Sequence, residues 1–535
     1  MKKDTLITGT IILTFAAFIA RFLGIVQRVP LKHLLGDTGL GTYSIAYNLY
    51  FILFTIATAG LPSAVSKIVS GKIENGKFAE ANRFFQAAIW FSLISGFIMM
   101  IFLFYWAPTQ ASLSRDDNAV GAIRAIAPSL LILPCVAIIR GYFQGQHMML
   151  PNGLSQVIEQ VIRVTSAILL AYWFIRIGWG QAWGVVGASL GGVLGTLGAL
   201  VVMVYFLKRI RKNFTIDVEE QKNAKSIRFR ELYKDLIQIS FPIVIFSITV
   251  PTINYIDTTI VKPLIHGSIG DLEAQVILGY LGGRAQSIAG LPIILAISIS
   301  QSIIPIISSH FAKKNLVEVR VQAERALQLS ILMGLPVVLV IITQINLLNI
   351  LIFGDTGGSN IIIILTATSI FQVFMQTSGA VLMGIGSMRP LVTQVIIGIS
   401  VKLLLSYTMS PIFGIYAILF ATTFTFIIMS ILNYQSLKRQ VPKLTVFTWR
   451  KWVNLFFITC IMLIVGIMTQ FIFSKMLGQL QFTLLFIVIQ ISIASTVLFL
   501  IYLSLVSKLK LINKIDIKKY PTFMQYILRR LHYLF

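Results

Sequence analysis

Apolar runs of about 20 residues recur from one end of the chain to the other, separated by short polar segments. Each is long enough to cross a bilayer as a helix. The pattern predicts about fourteen spans, near residues 5–28, 42–69, 84–107, 119–142, 153–175, 181–207, 234–261, 275–309, 325–350, 361–385, 389–410, 413–434, 450–473 and 480–506. The two longest, 42–69 and 275–309, are long enough to hold a turn as well as a span. The fold class is therefore an all-α polytopic membrane protein. The first twenty residues, MKKDTLITGTIILTFAAFIA, have the basic start and apolar stretch of a signal peptide. The apolar pattern continues past Arg21 through FLGIV, so the segment reads as an uncleaved first span.

Composition agrees with this pattern. Of the 535 residues, 56% are hydrophobic and 12% charged, about half the charged share of a soluble domain. The net charge of +25 suggests nucleic acid only until its placement is considered. Basic clusters sit between apolar runs, and most of the 44 Lys and Arg fall in loops and tails on one side of the predicted membrane. That asymmetry puts both termini in the cytoplasm and argues against nucleic-acid binding. Cys135 and Cys460 each lie in an apolar span, so no disulfide framework is expected. The five histidines are scattered, without the spacing of a metal site.

The chain also repeats itself. AEANRFFQAAI (79–89) resembles VQAERALQLSI (321–331), SQVI (155–158) returns as TQVI (393–396), and 183–209 aligns without gaps on 413–439. The matches keep their order, which indicates a duplication of six spans. Two copies of an even number of spans share one orientation, as in parallel-repeat transporters. The expected organisation is an N-lobe (1–215), a basic linker (216–233), a C-lobe (234–440), two further spans (441–507) and a basic tail (508–535). The two lobes would flank a central cavity.

Charges inside spans carry the candidate chemistry, because a charge at the bilayer centre costs roughly 2.5–3.5 kcal/mol on insertion scales and by default marks a function. Arg21, Glu159, Arg163, Asp257, Arg284 and Lys402 all fall within predicted spans. Glu159 and Arg163 stand one helical turn apart in the favourable order for an ion pair. Two readings of that pair are open: a structural bridge, or part of the cavity wall and its gating network. Asp257 could neutralise Lys402 or an arginine. Four of these six charges are positive, so pairing among them leaves an excess of cations, which calls for an anionic visitor or a wet cavity. Arginine suits a phosphate because its planar fork donates two parallel hydrogen bonds. Arg21 and Arg284, one in each predicted lobe, are the leading anion-binding candidates. Arg124, near the outer end of its span, reads as a snorkelling anchor. Arg140 lies at the start of the cytoplasmic turn RGYFQGQHMMLPN, where it either first attracts the anion or only anchors the turn.

Other motifs are structural. GASLGGVLGTLG (187–198) lacks the Lys-Ser/Thr ending of a phosphate loop and has no strand before it. Its Gly187, Gly191 and Gly195 recur every fourth residue, which suits close helix packing. Prolines inside spans, such as Pro134 and Pro336, bend helices where they face protein or a cavity. YPTFMQYILRRLHYLF (520–535) has the look of a basic interfacial helix.

Several stretches together resemble the MurJ and stage V sporulation protein B branch of the multidrug/oligosaccharidyl-lipid/polysaccharide exporters. They are ARFLG (20–24), GLPSAVSK (60–67), GGRAQSIAGLP through IIPIIS (282–308), RGYFQGQHMMLPNGLSQVIEQVIRV (140–164) and SVKLLLS (400–406). The resemblance covers essentially the whole chain. It implies a flippase, not an enzyme, for polyprenyl-diphosphate-linked saccharides, with lipid II as leading substrate. It further implies that Arg21 and Arg284 line the cavity and meet the diphosphate; Arg28 and Arg140 stand beside them as candidate substrate-binding residues. Implied partners are the lipid-linked saccharide, membrane lipids and cell-wall synthesis enzymes, with the chain itself a monomer. Some members carry further arginines late in the first helix and in the second; here Gln27 precedes Arg28, and the second span has no central arginine. Some use an acidic seventh-helix residue, with polar or acidic partners in helix eleven, to bind sodium. Asp257 fits the first element, but Lys402 offers an ammonium where the metal would sit. No cofactor is expected, and coupling to a monovalent cation or the membrane potential stays open. The rival readings are a flippase for an exopolysaccharide or spore-cortex unit, a cation-coupled drug exporter, and a scaffold for wall-synthesis enzymes.

Overall fold

The computed structural model describes residues 6–211, 240–241, 243–477, 484–509 and 511. The predicted basic linker, the C-terminal tail and the first five residues fall outside them, wholly or nearly so. Among the described residues there are helices and no strand. In chain order the principal helices are α1 (Leu6–Val26), α2 (Arg28–Thr58), α3 (Leu61–Glu74), α4 (Phe78–Ser114), α5 (Ala119–Ile126), α6 (Ser129–Gly145), α7 (Leu150–Arg176) and α8 (Gln181–Arg211). Then come α9 (Thr249–Ile269), α10 (Asp271–Leu278), a π-helical turn (Gly279–Ala285), α11 (Gln286–Ala289), α12 (Leu291–Ala312), α13 (Leu316–Phe353) and α14 (Ser359–Ile385). The chain finishes with α15 (Met388–Phe413), α16 (Ile415–Gln440), α17 (Trp449–Leu477) and α18 (Leu484–Lys508).

Eleven helical stretches among the described residues are long and apolar enough to cross a membrane, against about fourteen expected. The first two predicted spans run together as Phe15–Glu74, and most of the approach to the seventh lies among residues not described. Both long apolar runs do contain a break. The second span is interrupted at Ala59 and Gly60, and the eighth is divided by the π-helical turn and again before Leu291.

The described residues form two compact units, Met1–Ser287 with Leu391–Thr422, and Ile288–Pro390 with Thr423–Phe535. In the first unit, α7 and α8 pack along a glycine face. A Cβ on Gly187 would come within 2.8 Å of the Leu170 carbonyl, one on Gly191 within 2.6 Å of Ala167 Cβ, and one on Gly195 within 2.7 Å of the Glu159 carbonyl. The every-fourth-residue stripe is therefore a helix contact, and its inner end rests directly on the backbone of Glu159 and Arg163. A second close approach joins α2 to the π-helical turn. Gly41 faces the Gln275 carbonyl and the Gly279 amide, while side chains on Gly279 or Gly283 would collide with Asp37 or Leu40.

The second unit is built around α13. Asn315 caps its start by accepting from the Glu318 amide at 3.1 Å, and Gly354 ends it in a left-handed conformation with φ 85°, the usual glycine helix stop. α14 packs along α13, and α17 and α18 close its other side. There Tyr502 donates to the Leu332 carbonyl at 2.8 Å. Cys135 and Cys460 are both free thiols.

If the glycine stripe is what seats α8 on α7, Gly191→Leu should lower stability by about 1–3 kcal/mol or prevent folding, as overpacking does. Gly71→Ala, where nothing lies within 4 Å of the added Cβ, should leave it nearly unchanged. Thermal unfolding of the two purified variants in detergent checks the contrast.

Candidate functional site

The first unit gathers the intramembrane charges, and each one whose side chain is described has a defined surrounding. Glu159, on the second turn and a half of α7, stands between two guanidinium groups. Its Oε1 accepts from Arg163 Nη2 at 2.7 Å and its Oε2 from Arg140 Nη2 at 2.9 Å. Arg163 comes from the next turn of the same helix. Arg140 reaches across from α6, where its Nε also donates to Ser155 Oγ at 2.9 Å and its carbonyl accepts from Asn152 at 3.0 Å. The turn between α6 and α7 folds tightly enough for this because His147 takes a left-handed φ of 61°. Both oxygens of the carboxylate are thus satisfied, and the cluster of two cations and one anion keeps one net positive charge. Arg163 Nε has no hydrogen-bond partner although buried.

Arg284 sits in the π-helical turn, where winding of this type often marks functional segments. It is fully buried, and its fork is bidentate on Asp37, Nε to Oδ1 at 2.8 Å and Nη2 to Oδ2 at 2.6 Å. Its guanidinium also lies 4.8 Å above the Tyr280 ring. This corrects the expectation that Arg284 lacks a carboxylate of its own. Asp37 lies between the first two predicted spans and so falls outside a tally of charges within spans. In the structure Gly36 breaks α2 with φ 64°, a conformation open to glycine, and the break tucks Asp37 inward.

Asp257 on α9 meets Lys402 on α15 at 2.5 Å. The ammonium also donates to the Ile418 carbonyl at 2.8 Å and to Thr422 Oγ1 at 2.5 Å, so its three donors are all used. Between the two partners suggested for Asp257, the structure selects Lys402.

Arg28, at the start of α2, is only 9% exposed. It donates to Ser44 Oγ at 3.2 Å and lies 5.0 Å and 5.4 Å from the centroids of Tyr43 and Tyr47. Among the described residues no carboxylate meets it. From these rings a stacked aromatic ladder continues down α2, Tyr43 on Tyr47, Tyr47 on Phe51, and Phe51 on Phe54, with interplanar angles of 21°, 13° and 11°. Arg163 lies within electrostatic reach of Tyr43, Tyr47 and Tyr50. Arg21 lies on α1, and its side chain is not among those described. Arg124 is exposed, donates to the Phe104 carbonyl at 3.4 Å and covers the Phe104 ring at 5.0 Å.

Further polar residues in this unit escape a reading based on charges alone. Asp116 is buried and accepts from Thr42 at 2.6 Å and from Gln275 at 2.7 Å. Asn48 donates to Gln286 Oε1 at 3.0 Å, and Tyr255 donates to Gln110 at 2.6 Å. These bonds tie α2 and α4 to the segment 254–286. The available signal was their clustering as amides and hydroxyls on otherwise apolar helices.

A multi-pass helical bundle whose buried ion pairs and aromatic ladder converge in one unit has the build of a membrane transporter. By its sequence, the chain belongs to the polysaccharide biosynthesis protein family, whose pattern matches residues 6–311. It is 26% identical over 453 residues to the lipid II flippase MurJ of Bacillus subtilis (strain 168), covering 82% of this chain and 83% of that protein. It is also 26% identical over 456 residues to stage V sporulation protein B of the same organism, covering 83% and 85%. A solved structure of the lipid II flippase MurJ in an inward closed conformation superposes with a TM-score of 0.67 at 17% identity, covering 93% of this chain and 99% of that one. The branch resemblance seen in the motifs thus extends along more than four-fifths of the sequence.

The shared carboxylate makes a prediction of its own. Glu159→Gln leaves two buried guanidinium groups facing each other and should destabilise the protein by roughly 3–5 kcal/mol, the cost of breaking a buried pair. Arg163→Gln leaves the Arg140–Glu159 bridge standing and should cost less. Denaturant unfolding of both variants decides the order.

Proposed function

We propose that the chain is a flippase that carries a polyprenyl-diphosphate-linked saccharide from the cytoplasmic to the outer leaflet, with lipid II as its leading cargo by similarity. The observation that carries the reading is Arg28, a buried guanidinium held by a hydroxyl and two tyrosine rings with, among the described residues, no carboxylate against it. An uncompensated cation in a membrane protein is costly unless an anion visits it. A diphosphate supplies that charge and can accept from the planar fork. The ladder Tyr43–Tyr47–Phe51–Phe54 beside it offers flat apolar faces for sugar rings, and the net positive Arg140–Glu159–Arg163 cluster extends the attraction toward the cytoplasmic turn. Arg21 joins the anion site as an α1 contribution. Arg284 serves through its switchable bond to Asp37, releasing its fork to the diphosphate when that bond opens.

The wider arrangement follows the repeat: two six-span lobes, termini in the cytoplasm, and two final helices outside the duplication. Lobe rocking moves the cargo, and no covalent step is needed. A negative interior favours outward movement of an anion by about 2.3 kcal/mol per charge per 100 mV. At Asp257, the Lys402 ammonium stands where a monovalent cation would otherwise neutralise the carboxylate. Similarity to stage V sporulation protein B favours a second cargo, a lipid-linked unit of the spore wall, which would meet the same groups.

The test is transfer of lipid-linked saccharide to the outer face of flippase-depleted cells that express this chain. Arg28→Gln should cut transfer by more than about tenfold, the scale of one hydrogen bond to a charged group, with expression and melting temperature unchanged. Full transfer by Arg28→Gln and by Arg21→Gln would remove the anion-site reading.

A further inference from the structure

The second unit holds a cavity of about 520 Å³, within the roughly 300–1,000 Å³ range of small-molecule sites. It lies among α13, α14, α16 and α17, with Leu335, Phe371, Phe374, Tyr434, Trp452 and Phe456 on its walls. Three hydroxyls also line it, and each is bonded to a backbone carbonyl. Ser430 donates to Phe371 at 3.1 Å, Thr459 to Leu455 at 2.9 Å, and Tyr434 to Leu444 at 3.2 Å. The lining hydroxyls therefore offer a polar guest no vacant hydrogen, whereas a hydrocarbon chain meets walls that are mostly aliphatic and aromatic. Exposed Phe371, Ile431 and Phe456 form a rim, and on spanning helices such residues face lipid tails. The cavity therefore opens sideways toward hydrocarbon.

One end carries charge. Lys438, one turn beyond Tyr434 on α16, holds its ammonium 5.0 Å from the centroid of the Tyr434 ring that lines the cavity. The following segment adds Arg439, Lys443, Arg450 and Lys451, and residues 435–452 contain no Asp or Glu. Glu324 reaches this segment, where its Oε1 accepts from the Thr445 amide at 2.8 Å. Lys451 is tied to the Leu511 carbonyl at 3.1 Å, while Lys438, Arg439, Lys443 and Arg450 are exposed. Trp449 and Trp452 stand at the same end, 82% and 41% exposed, where amphipathic rings favour the headgroup level.

We propose that the cavity binds one anionic phospholipid of the surrounding leaflet, with an acyl chain among α13, α14, α16 and α17 and the phosphate on Lys438 and its basic neighbours. Basic pockets between spanning helices recognise such headgroups through charge. The bound lipid fills the gap beside α17 and fastens that helix to α13 and α14.

Native mass spectrometry of the purified full chain, titrated with phosphatidylglycerol or phosphatidylcholine of identical acyl chains, tests this. Wild type should retain one phosphatidylglycerol in preference to phosphatidylcholine. Lys438→Gln, a surface change, should weaken that preference by about fivefold, the scale of one basic residue near an anionic headgroup. Leu335→Trp, which fills the cavity, should lose both lipids while its melting temperature in detergent shows that it is folded. Equal binding of the two lipids by wild type, or an unchanged preference in Lys438→Gln, would overturn the proposal. So would displacement of phosphatidylglycerol by equimolar polyprenyl phosphate, which would make the cargo's own carrier lipid the occupant. If Leu335→Trp does not fold, the Lys438→Gln comparison alone decides.

Discussion

A carboxylate cannot stand alone in hydrocarbon, and the first unit is organised by that constraint. Glu159 accepts from Arg163 on its own helix and from Arg140 on the preceding one, so the hairpin of α6 and α7 is drawn together around a single anion. Asp37 and Arg284 repeat the solution between α2 and the π-helical turn, and Asp257 with Lys402 repeats it between α9 and α15. Buried pairs of this kind contribute little net stability compared with apolar packing, but they are costly to break. Their effect is to fix which helices are neighbours. Once they are in place, Arg28 stands out as a buried guanidinium that, among the described residues, meets hydroxyl and ring instead of acid.

Glycine makes these pairings geometrically possible. Long polar side chains meet only if their backbones come close, and two glycine faces supply that closeness. Along α8, Gly187, Gly191 and Gly195 let the helix settle on the turns of α7 that carry Glu159 and Arg163. Around the π-helical turn, Gly279 and Gly283 admit the α2 segment that carries Asp37 and Leu40. With no hydrophobic drive between helices in lipid, such small-residue contacts and interhelical hydrogen bonds are the cohesive forces at hand. The polar bonds of Asp116, Asn48 and Gln110 act in the same direction.

Much of this was legible in the chain. Apolar run length announced a polytopic helical protein, and the four-residue glycine spacing announced a close helix contact, which the structure places on α7. The i,i+4 placement of Glu159 and Arg163 announced their bridge. What could not be read was partnership at a distance. Arg140 and Glu159 are brought together by a turn whose tightness depends on one left-handed histidine. Asp37 looked like a loop residue because only the φ of Gly36 turns it inward, so Arg284 was credited with a free charge that it does not have. Arg28 appeared secondary because what sets it apart is the lack of a carboxylate beside it among the described residues, and a sequence shows residues, not their neighbours. Eleven spans are seen among the described residues because the first two predicted spans run together as Phe15–Glu74, most of the approach to the seventh lies outside those residues, and the π-helical turn divides the eighth.

The winding around Arg284 has a mechanical consequence. A π turn closes its hydrogen bond over one more residue than an α turn, so rewinding Gly279–Ala285 as ordinary helix would turn its far end, which carries Arg284, by about 100° relative to its start, the angle per residue of an α-helix. Such a rotation would carry the guanidinium off its aspartate. The winding thus keeps the clasp closed, and a change of winding would open it.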